Sequence, residues 1–293
     1  MTSRTWISRV LTAIALVLCV NFTAAVTLDP YGIFRNPRSR KLTVVFAARK
    51  AKFLLSKRYV PTNFDALLIG PSSSENWDPA FIPGVTMYNE STLGANVTEE
   101  KRIVDQALPR GRFKLAICIL YPTMTTNHTM NDGLEAITTA EALGSIHLYI
   151  EEAAQILAAL HHPISNASAP NGATPLKSSG QDFYIMHYPP GYFELDPVAV
   201  NDYTQMVQSL QSNGARIIYV IPALYEPCRL RNASEFTEYQ RTIQAILPQA
   251  PTIDLNGPDF TSFRVDADNY VDCFHVSADG AVKISAYLGQ HIH

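Results

Sequence analysis

The sequence predicts an α/β protein, a three-layer α/β/α sandwich with a mainly parallel sheet, preceded by an N-terminal apolar helix. Three observations predict it. Short apolar runs such as Ala66-Leu67-Leu68-Ile69 stop abruptly at glycine or proline, as buried strands do. Longer stretches between them carry apolar residues every three or four positions, the period of a helix with one buried face. The chain of 293 residues is 47% hydrophobic and 17% charged, enough apolar material for a sizeable core.

The first element is an address. Arg4 and Arg9 precede an uncharged stretch at residues 10–28, and Asp29 is the next charge. A membrane span needs roughly 17–25 residues, so this stretch fits an uncleaved anchor. Thr23-Ala24-Ala25 equally offers small residues for cleavage of a signal sequence. Asn21 and the threonines weaken the span reading. Either reading exports the remainder. Residues 35–58 oppose export, because they hold nine Lys/Arg and no acid. Basic residues just after a span favour the cytoplasmic side. The basic run reads as a solvated amphipathic helix; contact with lipid headgroups or an acidic glycan is the sharper alternative. Residues 1–28 are thus a signal or anchor, 29–64 a connector and basic helix, and 65–293 the α/β/α domain.

The domain opens with the strand at 66–69, bounded by Gly70. Residues 85–88 are a second candidate strand, and 99–108 a helix. Residues 114–120 form an apolar strand closed by Pro122. Residues 133–160 read as helix, with Leu143, Ile146, Ile150, Ala153, Leu157 and Leu160 on one face. Residues 161–180 are rich in Pro, Ser, Asn, Ala and Gly and read as a loop. A strand is expected at 182–188. Val200, Tyr203, Met206, Val207 and Leu210 mark a helix stopped by Asn213-Gly214. Residues 216–223 form the next strand; Phe236, Tyr239, Ile243 and Ile246 mark the next helix. A short strand follows at 252–255. Ser277 can cap a final helix carrying Ala281, Ile284 and Leu288.

Composition narrows the function classes. The net charge is −3, where a nucleic-acid binder would show a basic excess. None of the four cysteines has zinc-site spacing, and no metal or cofactor is expected. Cys19 lies in the apolar segment, and Cys118 reads as a buried thiol. Cys228 and Cys273 each sit near a candidate site element, and export would allow them to pair. Spacing alone cannot place their Cα atoms, so the pairing stays open. Sequons stand at Asn21, Asn89, Asn96, Asn127, Asn166 and Asn232.

Two short motifs could carry chemistry. Ser72 follows the first apolar strand in Gly70-Pro71-Ser72. In parallel α/β folds the reacting groups gather at the carboxyl ends of strands. A serine hydroxyl is a poor nucleophile without a base beside it, and Gly-Pro-Ser alone is equally an ordinary turn. The base is offered at the far end of the chain, in Asp272-Cys273-Phe274-His275. An acid three residues before a histidine can hold one imidazole nitrogen and leave the other for the nucleophile. Alone, this spacing also arises by chance among surface residues. His161 and His162 follow a helix, while His291 and His293 lie in a tail, and all four read as bystanders.

Together the motifs resemble the SGNH/GDSL hydrolase superfamily, whose members have a flavodoxin-like α/β/α fold and act on esters. Asp65-Ala-Leu-Leu-Ile-Gly-Pro-Ser72 resembles that family's first block, with Ser72 at the nucleophile position. Tyr88-Asn89-Glu-Ser-Thr-Leu-Gly94 resembles the second, whose glycine N–H enters the oxyanion hole. Asp272-Cys-Phe-His275-Val-Ser-Ala-Asp-Gly280 resembles the last. The apolar segment, Asp29-Pro30-Tyr31-Gly32 and the basic helix are similar to a membrane-anchored branch. That branch includes alginate O-acetylation proteins and the D-alanine transfer protein of teichoic-acid modification. The third block departs: Ile119-Leu120-Tyr121-Pro122 stands where the family supplies an oxyanion asparagine.

The resemblance implies an extracytoplasmic serine esterase or O-acyltransferase acting on a polysaccharide or another acylated substrate. Its catalytic residues would be Ser72, Asp272 and His275, with an oxyanion hole from the N–H groups of Ser72 and Gly94. It implies a membrane-bound O-acyltransferase as partner and attachment through the N-terminal segment. The alternative is a non-catalytic glycan-binding or scaffold protein, to which the missing asparagine points. A lipid-directed esterase is the third reading.

Overall fold

The computed structural model describes residues 3–38, 41–42, 48–129, 146–160, 168–174, 176, 188–189 and 191–292. Among the described residues, five parallel strands form one sheet: β1 (Ala66–Ile69), β2 (Met87–Asn89), β3 (Leu115–Ile119), β4 (Arg216–Ile221) and β5 (Thr252–Asp254). Their spatial order is β2-β1-β3-β4-β5, the doubly wound order. The alternation of the strand explains the layering. Leu67 and Ile69 of β1 pack on one face with the helices Ala48–Leu55, Val97–Ala107 and Pro197–Asn213. Ala66 and Leu68 pack on the other with Trp77, Phe260, Phe263 and the last helix, Ala278–His291. The expected α/β class and N-terminal apolar helix are both present.

Local chemistry sets the element ends. Asn96 caps the Val97–Ala107 helix through a capping box with Glu99. Gly214 ends Pro197–Asn213 at φ 105°, a left-handed value that glycine adopts without steric cost. Ser277 caps the last helix by accepting from the Gly280 N–H at 3.1 Å. Strand β2 begins two residues later than the sequence pattern indicates, at Met87, because the chain first turns at Gly84 (φ 78°). His291 closes the last helix rather than lying in a tail.

Two further expectations are corrected. The apolar stripe of the helix Ile146–Ala159 does not face the core: Ala153 and Leu157 are exposed, while Glu151, Glu152 and Ala154 are buried. The helix lies against the Ser3–Leu28 helix rather than on the sheet, so sheet packing does not select its face. The basic helix is not a solvated one either. Ala51, Leu54, Leu55 and the ammonium-bearing Lys52 of Ala48–Leu55 are all buried. The expected helix at 133–145, the strand at 182–187, most of the loop at 161–180, Asn166, His161, His162 and His293 lie outside the described residues.

The helix Ser3–Leu28 has 26 residues, about 39 Å at 1.5 Å per residue, and is long and apolar enough to cross a membrane.

Candidate active site

Ser72, His275 and Asp272 form one hydrogen-bonded chain. Ser72 opens a tight 3-10 turn, Ser72–Ser74, directly beyond β1. This places its hydroxyl above the switch point between β1 and β3, where the sheet reverses direction of winding. Gly70 makes the turn possible, since a Cβ there would come within 2.5 Å of Ile119 on β3. The Ser72 hydroxyl lies 2.7 Å from His275 Nε2.

His275 sits in the segment that leads into the last helix. Its Nδ1 is 2.6 Å from Asp272 Oδ2. Asp272 Oδ1 also accepts the backbone N–H groups of His275 (2.7 Å) and Phe274 (2.9 Å). The three-residue offset thus forms a local turn that locks the ring to its carboxylate. Burial raises the Asp272 carboxyl's affinity for protons, but the bonds to the His275 ring and the two N–H groups outweigh it, and the group sits below its ordinary range. With Asp272 ionised, the Nδ1–H tautomer is favoured and Nε2 is left to accept from Ser72.

Two links hold this segment in place. Cys228 and Cys273 are joined by a disulfide, so the residue beside Asp272 is tied to the short helix Glu226–Arg231. Cys118 is a buried thiol whose pKa burial pushes up to about 12, leaving it inert. Asn76, in the nucleophile turn, donates to the Val276 carbonyl at 2.7 Å.

Gly94 lies beside the nucleophile segment. Thr92 pairs with Pro71, and the Thr92 N–H donates to the Gly70 carbonyl at 3.1 Å. The Ala95 N–H then closes a turn onto the Thr92 carbonyl, with Gly94 at its third position at φ 64°. A type II turn requires that positive φ, which explains the glycine.

Where an asparagine was absent from the third block, Tyr121 stands at the end of β3. Its hydroxyl is 3.2 Å from those of both Tyr188 and Tyr192. Its ring lies 5.7 Å from that of Phe274, which in turn lies 4.3 Å from the His275 ring. Burial raises all three tyrosine pKa values, so the hydroxyls stay protonated. Asn127 is engaged elsewhere, accepting from Asn96 Nδ2 at 2.7 Å and from the Thr129 N–H at 3.2 Å.

Several residues under the site escaped the sequence reading. Asn89 donates its side-chain amide to the carbonyls of Ser74, Glu75 and Trp77, bracing the turn after Ser72. Buried Glu75, Glu90 and Glu100 surround Lys52. Burial raises the carboxyl pKa of each, Glu90 to about 7, and lowers that of Lys52. The i,i+3 spacing of Arg49 and Lys52 was the available signal, but it is shared by many surface helices.

No family model matches the chain, and no curated protein matches it. Among solved structures, the chain is similar to one from Streptococcus pneumonia, provisionally described as a platelet activating factor. The two share 12% identity with a TM-score of 0.48, over 84% of this chain and 91% of that one. At that similarity the likeness carries no argument about activity.

Proposed function

We propose that the chain is an exported SGNH-like serine esterase or O-acyltransferase acting on acyl groups of a polysaccharide. The observation that carries this reading is the unbroken chain from Asp272 through His275 to Ser72. In the mechanism it supports, Ser72 Oγ attacks the acyl carbonyl while its proton passes to His275 Nε2. Asp272 holds the Nδ1–H and stabilises the imidazolium. The Gly94 and Ser72 N–H groups receive the oxyanion. Collapse expels the alcohol oxygen, which takes the proton from His275, and leaves an acyl-Ser72 ester. Water or a sugar hydroxyl, deprotonated by His275, then releases or accepts the acyl group.

Ser72 keeps 8% of its surface open, and the side chains of His275 and Asp272 keep 17% and 34%. The polysaccharide class, a membrane-bound O-acyltransferase partner and an extracytoplasmic location come from the family resemblance. The helix Ser3–Leu28 supports the last as an anchor or signal.

Labelling with a fluorophosphonate probe tests the nucleophile. The expected result is one label on the wild-type chain, lost in Ser72→Ala and in His275→Ala. Folded wild-type protein that takes no label removes the enzyme reading and favours the non-catalytic scaffold. That second reading has its own observation, Tyr121 in place of the asparagine donor.

A further inference from the structure

The segment from Asn89 to Gly94 is gripped from one side by a single helix. On Ala48–Leu55, Arg49 and Lys52 stand one turn apart and face this segment. Lys52 Nζ donates to the carbonyls of Asn89 at 2.8 Å, Ser91 at 2.6 Å and Gly172 at 3.1 Å. An ammonium has three protons, and all three are used. Arg49 Nη2 donates to the Leu93 carbonyl at 2.6 Å, and its Nη1 lies 3.6 Å from Glu99 Oε1. The carbonyls at 89, 91 and 93 therefore all turn toward the basic helix.

The backbone N–H groups of the even-numbered Glu90 and Thr92 face the other way. The Glu90 N–H donates to Leu68 and the Thr92 N–H to Gly70, both on the chain that runs on to Ser72. The Leu93–Gly94 peptide is trans. In a trans peptide the C=O and N–H point in opposite directions. With its oxygen held by Arg49, this peptide turns the Gly94 N–H away from the helix. A cation on the carbonyl also polarises the peptide and strengthens the opposite N–H as a donor.

We infer that Arg49 is a positioning residue that orients and strengthens the Gly94 N–H as an oxyanion donor, with Lys52 holding the residues before it. The inference rests on the proposed roles of Ser72 and Gly94. Arg49 does not meet the substrate; it acts through one peptide. A guanidinium suits the task because its planar fork spans the Leu93 carbonyl and Glu99 together, which an ammonium does less well.

The test uses the full-length chain with Arg49→Met and Arg49→Lys. Turnover of p-nitrophenyl acetate and the inhibition constant of a trifluoromethyl ketone, which forms a tetrahedral serine adduct, are measured for each. Arg49→Met is expected to lower kcat about 10- to 100-fold with KM little changed, less than the roughly 100- to 1000-fold for losing a donor outright. The ketone should weaken by the same factor, and Arg49→Lys should recover part of both. A merely structural role moves ketone affinity no more than KM. The inference is overturned if folded Arg49→Met keeps kcat and ketone affinity within twofold of wild type, or if Arg49→Lys loses them while keeping the wild-type Tm and Arg49→Met does not. Wild-type protein without a Ser72 label defeats the nucleophile reading and this inference together. A labelled wild type with an unaffected Arg49→Met defeats only this one.

Discussion

Asn76 donates its side-chain amide to the carbonyl of Val276 across 200 residues of sequence, at 2.7 Å. This bond joins the turn that carries Ser72 to the residue after His275. The two halves of the site are therefore set against each other by protein contacts as well as by the serine–histidine bond itself. We predict that Asn76→Ala lowers unfolding free energy by about 1–2 kcal/mol, since it leaves a buried carbonyl without its donor. Chemical denaturation measures this. The fluorophosphonate labelling rate should fall with it, and an unchanged rate would show that the two segments need no such tie.

Asp272→Asn keeps the shape of the acid and removes its charge. The His275 ring then loses the acceptor that holds the Nδ1–H tautomer. The expected loss in kcat is on the order of 10⁴, with folding intact by circular dichroism. A loss below tenfold would remove Asp272 from the mechanism.

The disulfide Cys228–Cys273 closes a loop with a sequence separation of 45. On chain entropy alone such a loop stabilises by about 4 kcal/mol. The Cys228→Ser, Cys273→Ser double variant should show a matching fall in denaturation midpoint. Its activity on small esters should also fall, because Cys273 adjoins Asp272. Reduction of the wild type with dithiothreitol should reproduce both effects.

Glu226 predicts a pH dependence of stability. It accepts from Arg229 Nη2 at 2.6 Å and from Arg264 Nε at 2.8 Å. The Arg229 hydrogen bond, more than any other influence, lowers its pKa to about 2. A depressed carboxyl adds stability that is complete above its unfolded value and is lost as pH falls through its folded one. Wild-type stability should therefore decline between about pH 4.5 and pH 2 through this group. Glu226→Gln should cost about 1 kcal/mol at pH 7, after allowance for solvent screening, with the gap closing toward pH 2. Urea midpoints measured at pH 7, 4 and 2.5 check the sign. A gap that widens on acidification would contradict it.

Much of the sheet was legible because β1, β3 and all but the first residue of β4 are apolar runs, the common composition of buried parallel strands. The helix ends were legible where a specific residue supplies the cap, as with Asn213-Gly214 and Ser277. The stripe from Ile146 to Leu160 misled because periodicity marks a face without saying what covers it.

The sequence by itself determined the local parts of the site. It set a strand that ends just before Ser72, an Asp-x-x-His turn before a capped helix, and a glycine where a turn needs positive φ. These depend on residues a few positions apart, so local composition encodes them. Only the tertiary structure decided which distant parts meet. It brought Ser72 and His275 together across 203 positions, paired Cys228 with Cys273, and turned Lys52 inward. The lysine shows the physical reason. A lone buried charge is costly, so sequence alone reads a basic helix as solvated. Three carbonyls and the surrounding acids offset that cost, and they exist at one point only once the chain has folded.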